Sequence, residues 1–380
     1  MNLLFLSAAR PFNAETDQAA FLAGALAARG HACRWMAPPG AESLARVRAA
    51  GLAAAEFPDT HFGNNPVRIA AQLRALRREV RACAPRVLFT VESPTHLLAA
   101  LAAGWLSGAP ATRRAARPAV VRWRGSNTPL RRRPLSRRLY DRATRLVLVP
   151  CRALVEAARA AGFATAHWTV VDGCVDLERF APGPADPAAW AEAELDPGRE
   201  VVVLVARLAP VKGIPVFLEA LARVRRERPG VAGLILGEAW EGQAERLEAD
   251  VERLGLGGAV RWLGRRADVE RWLRLGAVGA VSSVGSELFS RSALEYMAAA
   301  LPVAATRVGV LPEWLEGRPW ARLAAPRDAA GLAAGLLELL GAPERAALGA
   351  AARREAESRF APGRMVDRVE ALLRQAAEAA

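Results

Sequence analysis

The feature that most limits how this chain can fold is a rhythm. Short apolar runs alternate with longer helical patterns, break off at a cluster of prolines, and then begin again. Leu3–Leu6 reads as a buried strand and Asp17–Arg29 as an amphipathic helix ending at Gly30. Arg68–Ala82 reads as a second helix, and Arg86–Val91, Ala119–Arg122 and Leu146–Val149 as strands. Strands separated by helices imply a parallel sheet, because a parallel neighbour is reached only by a crossover. APGPADPAAW at 181–190, followed by DPG at 196–198, is rich in proline and glycine and reads as an interdomain linker. The rhythm restarts with VVVLVA (201–206), AGLILG (232–237), VRWLG (260–264), AVGAVSS (277–283) and PVAAT (302–306), with helical patterns between them. The expected fold class is therefore α/β: a domain at 1–181, a linker at 182–198 and a second domain at 199–362. A last helical pattern at 363–378 lies far from the linker, and the pattern alone assigns it to neither domain.

Composition removes several function classes. Basic residues number 52 against 39 acidic, a formal net charge of +13 that suits an anionic partner: nucleic acid, membrane surface or acidic substrate. RRR at 131–133 has no interleaved aromatic residues to stack on bases, so nucleic acid is not expected. Cys33, Cys83, Cys151 and Cys174 form no CxxC pair, and His31, His61, His96 and His167 show no metal-ligand spacing. Neither a zinc site nor a disulfide framework is indicated, and a reduced, cytoplasmic setting is the expectation. MNLLFLSAARPF has no basic residue ahead of its short apolar run and does not read as a signal peptide. LLAALAAGWLSGA at 97–109 is well below the ~20 residues of a spanning helix, so any membrane contact is expected to be peripheral. The first strand is not followed by GxGxxG, which counts against a dinucleotide-dependent dehydrogenase.

Within VARLAPVKGIPVFLEAL (205–221) stands Lys212, the only lysine of the chain. Arg207 and Lys212 occupy the loop directly after the strand at 201–206, with Gly213 and then Pro215 opening a helix. Open parallel sheets bind ligands at the carboxyl ends of their strands, and two cations beside a helix start make an anion site suited to a diphosphate. A lysine is a compact charge on a flexible stem, able to follow phosphate oxygens that a planar guanidinium would have to match. Further on, Glu287 and Glu295 stand eight apart across an apparent helix start. Carboxylates there can accept hydrogen bonds from sugar hydroxyls. Two plainer readings stay open: Ser292-Ala-Leu-Glu295 has the form of a capping box, with Glu295 in the first turn, and Glu287 could be an ordinary loop carboxylate.

These segments together resemble the family 4 retaining glycosyltransferases of the GT-B fold, and the resemblance covers nearly the whole chain. Glu287 and Glu295 look like the family's E-x7-E pair, VARLAPVKG like its Arg…Lys-Gly donor loop, and VVDGCVDLERF (170–180) like its entry to the linker. LILGEAWEG (234–242) and LPVAATRVGVLPE (301–313) are similar to further family segments in the same order. The resemblance implies two Rossmann-like domains facing an interdomain cleft, with a nucleotide-sugar donor in the second domain and an acceptor site in the first. It also implies that the helix at 363–380 packs back on the first domain. It assigns catalysis to Arg207, Lys212 and Glu287, and donor contacts to Glu238, Arg265, Phe289, Ser290, Arg291 and Glu295. Cofactors are none beyond the donor substrate, no metal is used, and anomeric configuration is retained.

Several positions depart from the family pattern. Leu288 and Ser290 stand where glycines are usual, and the loop AARPFNAETD (8–17) has no glycine, leaving Arg10 and Asn13 as phosphate or acceptor contacts. Arg124 stands where many members carry a histidine near the anomeric carbon; it also reads as a surface arginine. Between residues 113 and 145 lie arginines 113, 114, 117, 122, 124, 131, 132, 133, 137, 138, 142 and 145, against the single acidic residue Asp141. That segment is either a solvated face or a surface for anionic lipid or phosphorylated lipopolysaccharide. The expected function is transfer of a hexose or heptose to a cell-envelope glycolipid or polysaccharide. The alternative is a weakened or non-catalytic sugar- and anion-binding protein of the same fold.

Overall fold

The computed structural model describes residues 1–10, 14–58, 65–106, 117–126 and 128–379. The chain divides into two compact units, residues 1–173 with 363–380, and residues 174–362.

In the first unit the strands are β1 (Asn2–Leu6), β2 (Ala32–Ala37), β3 (Ala53–Glu56), β4 (Val87–Thr90), β5 (Ala119–Trp123), β6 (Leu146–Val149) and β7 (Trp168–Val170). They form one sheet in the order β3-β2-β1-β4-β5-β6-β7, every neighbouring pair parallel. Burial on both faces explains why β1, β4 and β6 are near-continuous apolar runs. Phe5 of β1 stacks against Trp35 of β2, and Phe89 of β4 lies between Phe5 and Trp123 of β5. The terminal helix Pro362–Glu378 is fastened to this unit. Arg29 and His31 bond the Glu370 carboxylate at 2.9 and 3.0 Å, and Arg86 donates to the Ala377 carbonyl at 3.0 Å.

In the second unit β8 (Val201–Val205), β9 (Ala232–Leu236), β10 (Val260–Trp262), β11 (Val278–Val281), β12 (Val303–Thr306) and β13 (Ala321–Ala324) form a second all-parallel sheet. Its order is β10-β9-β8-β11-β12-β13. Helix Ile214–Glu227 buries Phe217, Leu218, Leu221 and Val224 against one face, alongside Leu332, Leu336 and Leu339 of helix Ala329–Gly341.

The structure moves the domain boundary. It falls after Gly173 rather than at residue 181, and residues 182–198 are not a free linker. They contain helix Pro187–Glu192 and are tied to the second unit by polar contacts. Arg271 pairs with Asp186 and Glu192, both at 2.7 Å, and Arg261 donates to the Ala193 carbonyl at 3.2 Å. Val175 N–H donates to the Phe360 carbonyl at 3.1 Å, which brings the segment ahead of residue 181 into the same unit.

Both strand orders reverse direction once, between β1 and β4 in the first sheet and between β8 and β11 in the second. In open parallel sheets, ligands bind outside the carboxyl ends of the strands at such a switch point.

Candidate functional site

At the switch point of the second sheet, the loop after β8 and the loop after β11 are zipped together by their backbones. Val284 N–H donates to the Val211 carbonyl at 2.9 Å, and Ser282 Oγ donates to the Lys212 carbonyl, also at 2.9 Å. Gly213 makes this possible: its φ is +64°, and a Cβ there would lie 2.1 Å from the Ser282 carbonyl oxygen. The zipper carries Lys212 onto Glu287. Lys212 Nζ and Ser283 Oγ both donate to Glu287 Oε1. Glu287 is held from below as well, since its carbonyl accepts from Val310 N–H at 2.8 Å and Thr306 Oγ1 bonds the Ser283 carbonyl at 2.6 Å. The side chain of Glu287 is 3% exposed and that of Lys212 is 23% exposed. Glu287 is thus a buried anchor, and Lys212 is the part of the pair that reaches solvent.

Helix Arg291–Ala298 follows, and the structure corrects the expectation for its start. The residue that caps it is Ser290, not Ser292, and no side chain caps it by hydrogen bonding. Glu295 is the fifth residue of the helix and lies in its second turn, so there is no capping box. Helix position is fixed by Tyr296, whose hydroxyl accepts from Val205 N–H of β8 at 2.6 Å and donates to the Ala280 carbonyl of β11 at 3.2 Å. Glu295 is buried, and burial raises its carboxyl above the ordinary 4.5; Arg291 and Arg179 pull it back, while Glu270 adds to the rise. The Ser290 hydroxyl is buried with no hydrogen-bond partner, and Arg291 N–H donates to the Phe289 carbonyl at 3.0 Å. Arg207, Glu238 and Arg265 are exposed on the loops after β8, β9 and β10. The latter two loops meet through Gly237 N–H and the Gly264 carbonyl at 2.8 Å. Trp240, in the loop after β9, stacks under the Arg207 guanidinium at 5.3 Å and was not singled out from sequence. A tryptophan standing among glycine and glutamate in GEAWEG was the available signal.

The switch point of the first sheet holds a different chemistry. Glu92, two residues after β4, accepts from Ser7 Oγ at 3.0 Å, Ala8 N–H at 2.6 Å and Thr16 Oγ1 at 3.3 Å. Burial pushes the nearby Glu15 carboxyl up to about 7; Arg122 and Arg124 act against the shift and Glu92 adds to it. Arg124 is 5% exposed and donates to the Thr128 carbonyl, so the surface-arginine reading of this position is wrong. Arg122 is 1% exposed, and its Nη1 is spent on the carbonyls of Val91 and Trp123. Two of the twelve arginines between 113 and 145 therefore lie inside the unit, not on a face. His96 is fully buried. Thr144 Oγ1 gives its proton to the Leu139 carbonyl, so His96 Nε2 donates to Thr144 at 2.7 Å. Burial and the two arginines lower the His96 pKa, leaving the ring neutral. Arg10 is exposed, while Asn13, Arg113 and Arg114 lie outside the described residues. Sequence reading missed Glu15 and Glu92, which carry no motif of their own.

Both units resemble known proteins. A family model described as Glycosyltransferase Family 4 matches residues 18–179, and one described as Glycosyl transferases group 1 matches residues 199–342. A curated relative from Segniliparus rotundus, D-inositol 3-phosphate glycosyltransferase, is 41% identical over 147 residues, 38% of this chain and 32% of that protein. The chain therefore spans about a third of that relative's length. A glycosyltransferase of Rickettsia africae superposes with a TM-score of 0.87 at 15% identity, covering 100% of this chain and 99% of that one. The Anabaena protein HepE in complex with UDP superposes with a TM-score of 0.83 at 20% identity, covering 99% and 100%. At those identities the likeness is one of fold: two Rossmann-like parallel-sheet domains, the GT-B fold.

Proposed function

Because this chain belongs to the family 4, or group 1, glycosyltransferases, we propose that it is a retaining transferase that works without a metal ion. In this reading it moves a hexose or heptose from a nucleoside-diphosphate sugar to an anionic cell-envelope glycolipid or polysaccharide, such as lipopolysaccharide. The observation that carries the reading is the Lys212–Glu287 pair at the second switch point, with Arg207 exposed on the same loop as Lys212. As the bond from the anomeric carbon to the diphosphate oxygen breaks, negative charge grows on the leaving group. In this reading Lys212 and Arg207 are the cations that meet it, a form of electrostatic stabilisation set up before the reaction. Lys212 and Ser283 pin Glu287 through Oε1, which leaves Oε2 as its acceptor for a donor sugar hydroxyl in this reading, and Glu295 accepts from the ribose. HepE binds UDP, which makes a uridine donor the first to try.

The test is thermal melting with UDP, GDP, ADP and CMP in turn, followed by turnover of the matching nucleotide sugar in EDTA. One nucleoside diphosphate at ~100 times its dissociation constant should stabilise the protein by roughly 2.7 kcal/mol. Stabilisation by none of them would overturn the reading. Binding without turnover would favour a non-catalytic protein, the reading that Leu288 and the side chain of Ser290 support.

The proposed acceptor side includes a basic surface on the first unit. Arg131, Arg132, Arg133, Arg137, Arg138 and Arg142 are exposed around Leu135, itself 55% exposed on helix Pro134–Arg138. Among the described residues no helix is long and apolar enough to cross a membrane. Exposed cations around an exposed leucine suit peripheral contact with an anionic leaflet on the cytoplasmic side. Reversing Arg131, Arg132 and Arg133 to glutamate should weaken sedimentation with phosphatidylglycerol vesicles, most at low salt. Unchanged sedimentation would remove the membrane from the proposal.

A further inference from the structure

Resting on the glycosyltransferase reading, we infer that Trp240 is a positioning residue for the donor diphosphate, acting through Arg207. The loops after β8 and β9 are clasped by their backbones. Leu208 N–H donates to the Glu238 carbonyl at 2.8 Å, and Trp240 N–H donates back to the Leu208 carbonyl at 3.1 Å. The clasp needs a glycine next to it: Gly237 has φ +149°, and a Cβ there would stand 1.9 Å from the Ala206 carbonyl oxygen. Trp240 then leads into helix Gln243–Arg253, its carbonyl accepting from Gln243 N–H at 2.9 Å. This fixes the backbone on both sides of the Arg207–Trp240 contact, so the stacking of guanidinium on indole follows from the fold of the two loops.

Two further facts mark this contact as a prepared one. All ten tryptophans lie among the described residues, and Trp240, at 52%, is the one that is largely exposed. An indole left in water is unfavourable unless something else lies over it. Arg207, for its part, makes no ion pair among the described residues, whereas Lys212 in the same loop is already matched by Glu287. The uncompensated cation of the loop is therefore Arg207. A guanidinium stacked by its face keeps its N–H donors at the edge, the geometry that grips phosphate oxygens in a fork. Without the indole, the same side chain would have to give up its rotamer freedom when the diphosphate arrives.

The experiment titrates wild type, Trp240→Ala, Trp240→Phe, Arg207→Ala and the Trp240→Ala/Arg207→Ala double variant. The ligands are inorganic pyrophosphate and UDP, followed by calorimetry. Trp240→Ala should weaken both by ~3- to 30-fold, Trp240→Phe should keep most of the affinity, and the ligand-free melting temperature should not move. In the Arg207→Ala background, Trp240→Ala should add no further loss, because the two act as one unit. Additive losses, or equal affinity in Trp240→Ala and wild type, would overturn the inference and leave the transferase reading intact. A loss seen only with UDP, and not with pyrophosphate, would also overturn it and make the indole a platform for the nucleoside. Failure of the wild type to bind pyrophosphate or any nucleoside diphosphate would bring down the transferase reading itself, and this inference with it.

Discussion

Lys212→Ala is expected to lower kcat/KM for the nucleotide sugar by ~10²- to 10³-fold, the usual range for deleting one preorganised donor to a developing anion. The loss should fall mainly on kcat, because the leaving diphosphate needs this charge most as the bond breaks. Lys212→Arg should not restore activity. Nζ shares Glu287 Oε1 with Ser283 Oγ as a single-point contact, which the planar fork of a guanidinium does not reproduce. The same deletion should also destabilise the ligand-free protein by ~1–3 kcal/mol, since it strips a buried carboxylate of its cation. Adding Glu287→Gln in the alanine background removes the stranded charge and should return much of the stability without returning activity. Steady-state kinetics and melting curves on the three variants separate these effects. Activity of Lys212→Ala within a few-fold of wild type would show that the lone lysine serves structure only.

How much of this could be read from the sequence depended on whether the information was local. The strands at the centre of each sheet are buried on both faces and appear as unbroken apolar runs, so β1, β4, β6, β8, β9 and β11 were legible. β3 is Ala-Ala-Ala-Glu, with no branched or aromatic residue to mark it, and β2 carries Arg34, which forms an ion pair at 2.9 Å with Glu79 of a helix far along the chain. Helix Ala329–Gly341 is apolar nearly all round, so its periodicity is weak. The domain boundary was misplaced because contacts such as Val175 to Phe360 decide it, and these join distant residues. Lys212 and Glu287 were found although 75 residues apart, because each follows a strand and the spacing to Glu295 resembles a known family. Arg122, Glu15 and Glu92 were hidden for the opposite reason, since none of them stands in a motif, and Arg124, singled out by its position, kept a surface reading beside the functional one. In a chain with so many arginines, nothing in the letter distinguishes a buried guanidinium from a solvated one.

Glu295→Gln is expected to make the ligand-free protein more stable at neutral pH while weakening donor binding by tenfold or more. The carboxyl is raised in the folded state, chiefly by burial, from an ordinary value of 4.5 that the unfolded chain retains. Between those two values the folded protein holds more protons than the unfolded one, so stability falls as pH rises through the window. Above the window the penalty is constant, and a neutral amide of the same shape escapes it. The melting temperature of Glu295→Gln should therefore exceed that of wild type at pH ~8, and the difference should shrink towards zero as pH drops below the ordinary carboxyl value. What the carboxylate gains in return is a pair of charged acceptor oxygens for the ribose hydroxyls. Hydrogen bonds to charged groups contribute about 1.5–3 kcal/mol each, which sets the expected loss of affinity at roughly ten- to a hundredfold. Melting as a function of pH, with and without the stabilising nucleoside diphosphate, reads both quantities from one preparation. A variant that melts lower than wild type at every pH would mean that Arg291 and Arg179 outweigh burial and that Glu295 is a structural partner. A variant that melts higher yet binds the nucleotide as tightly as wild type would remove the ribose from its proposed role.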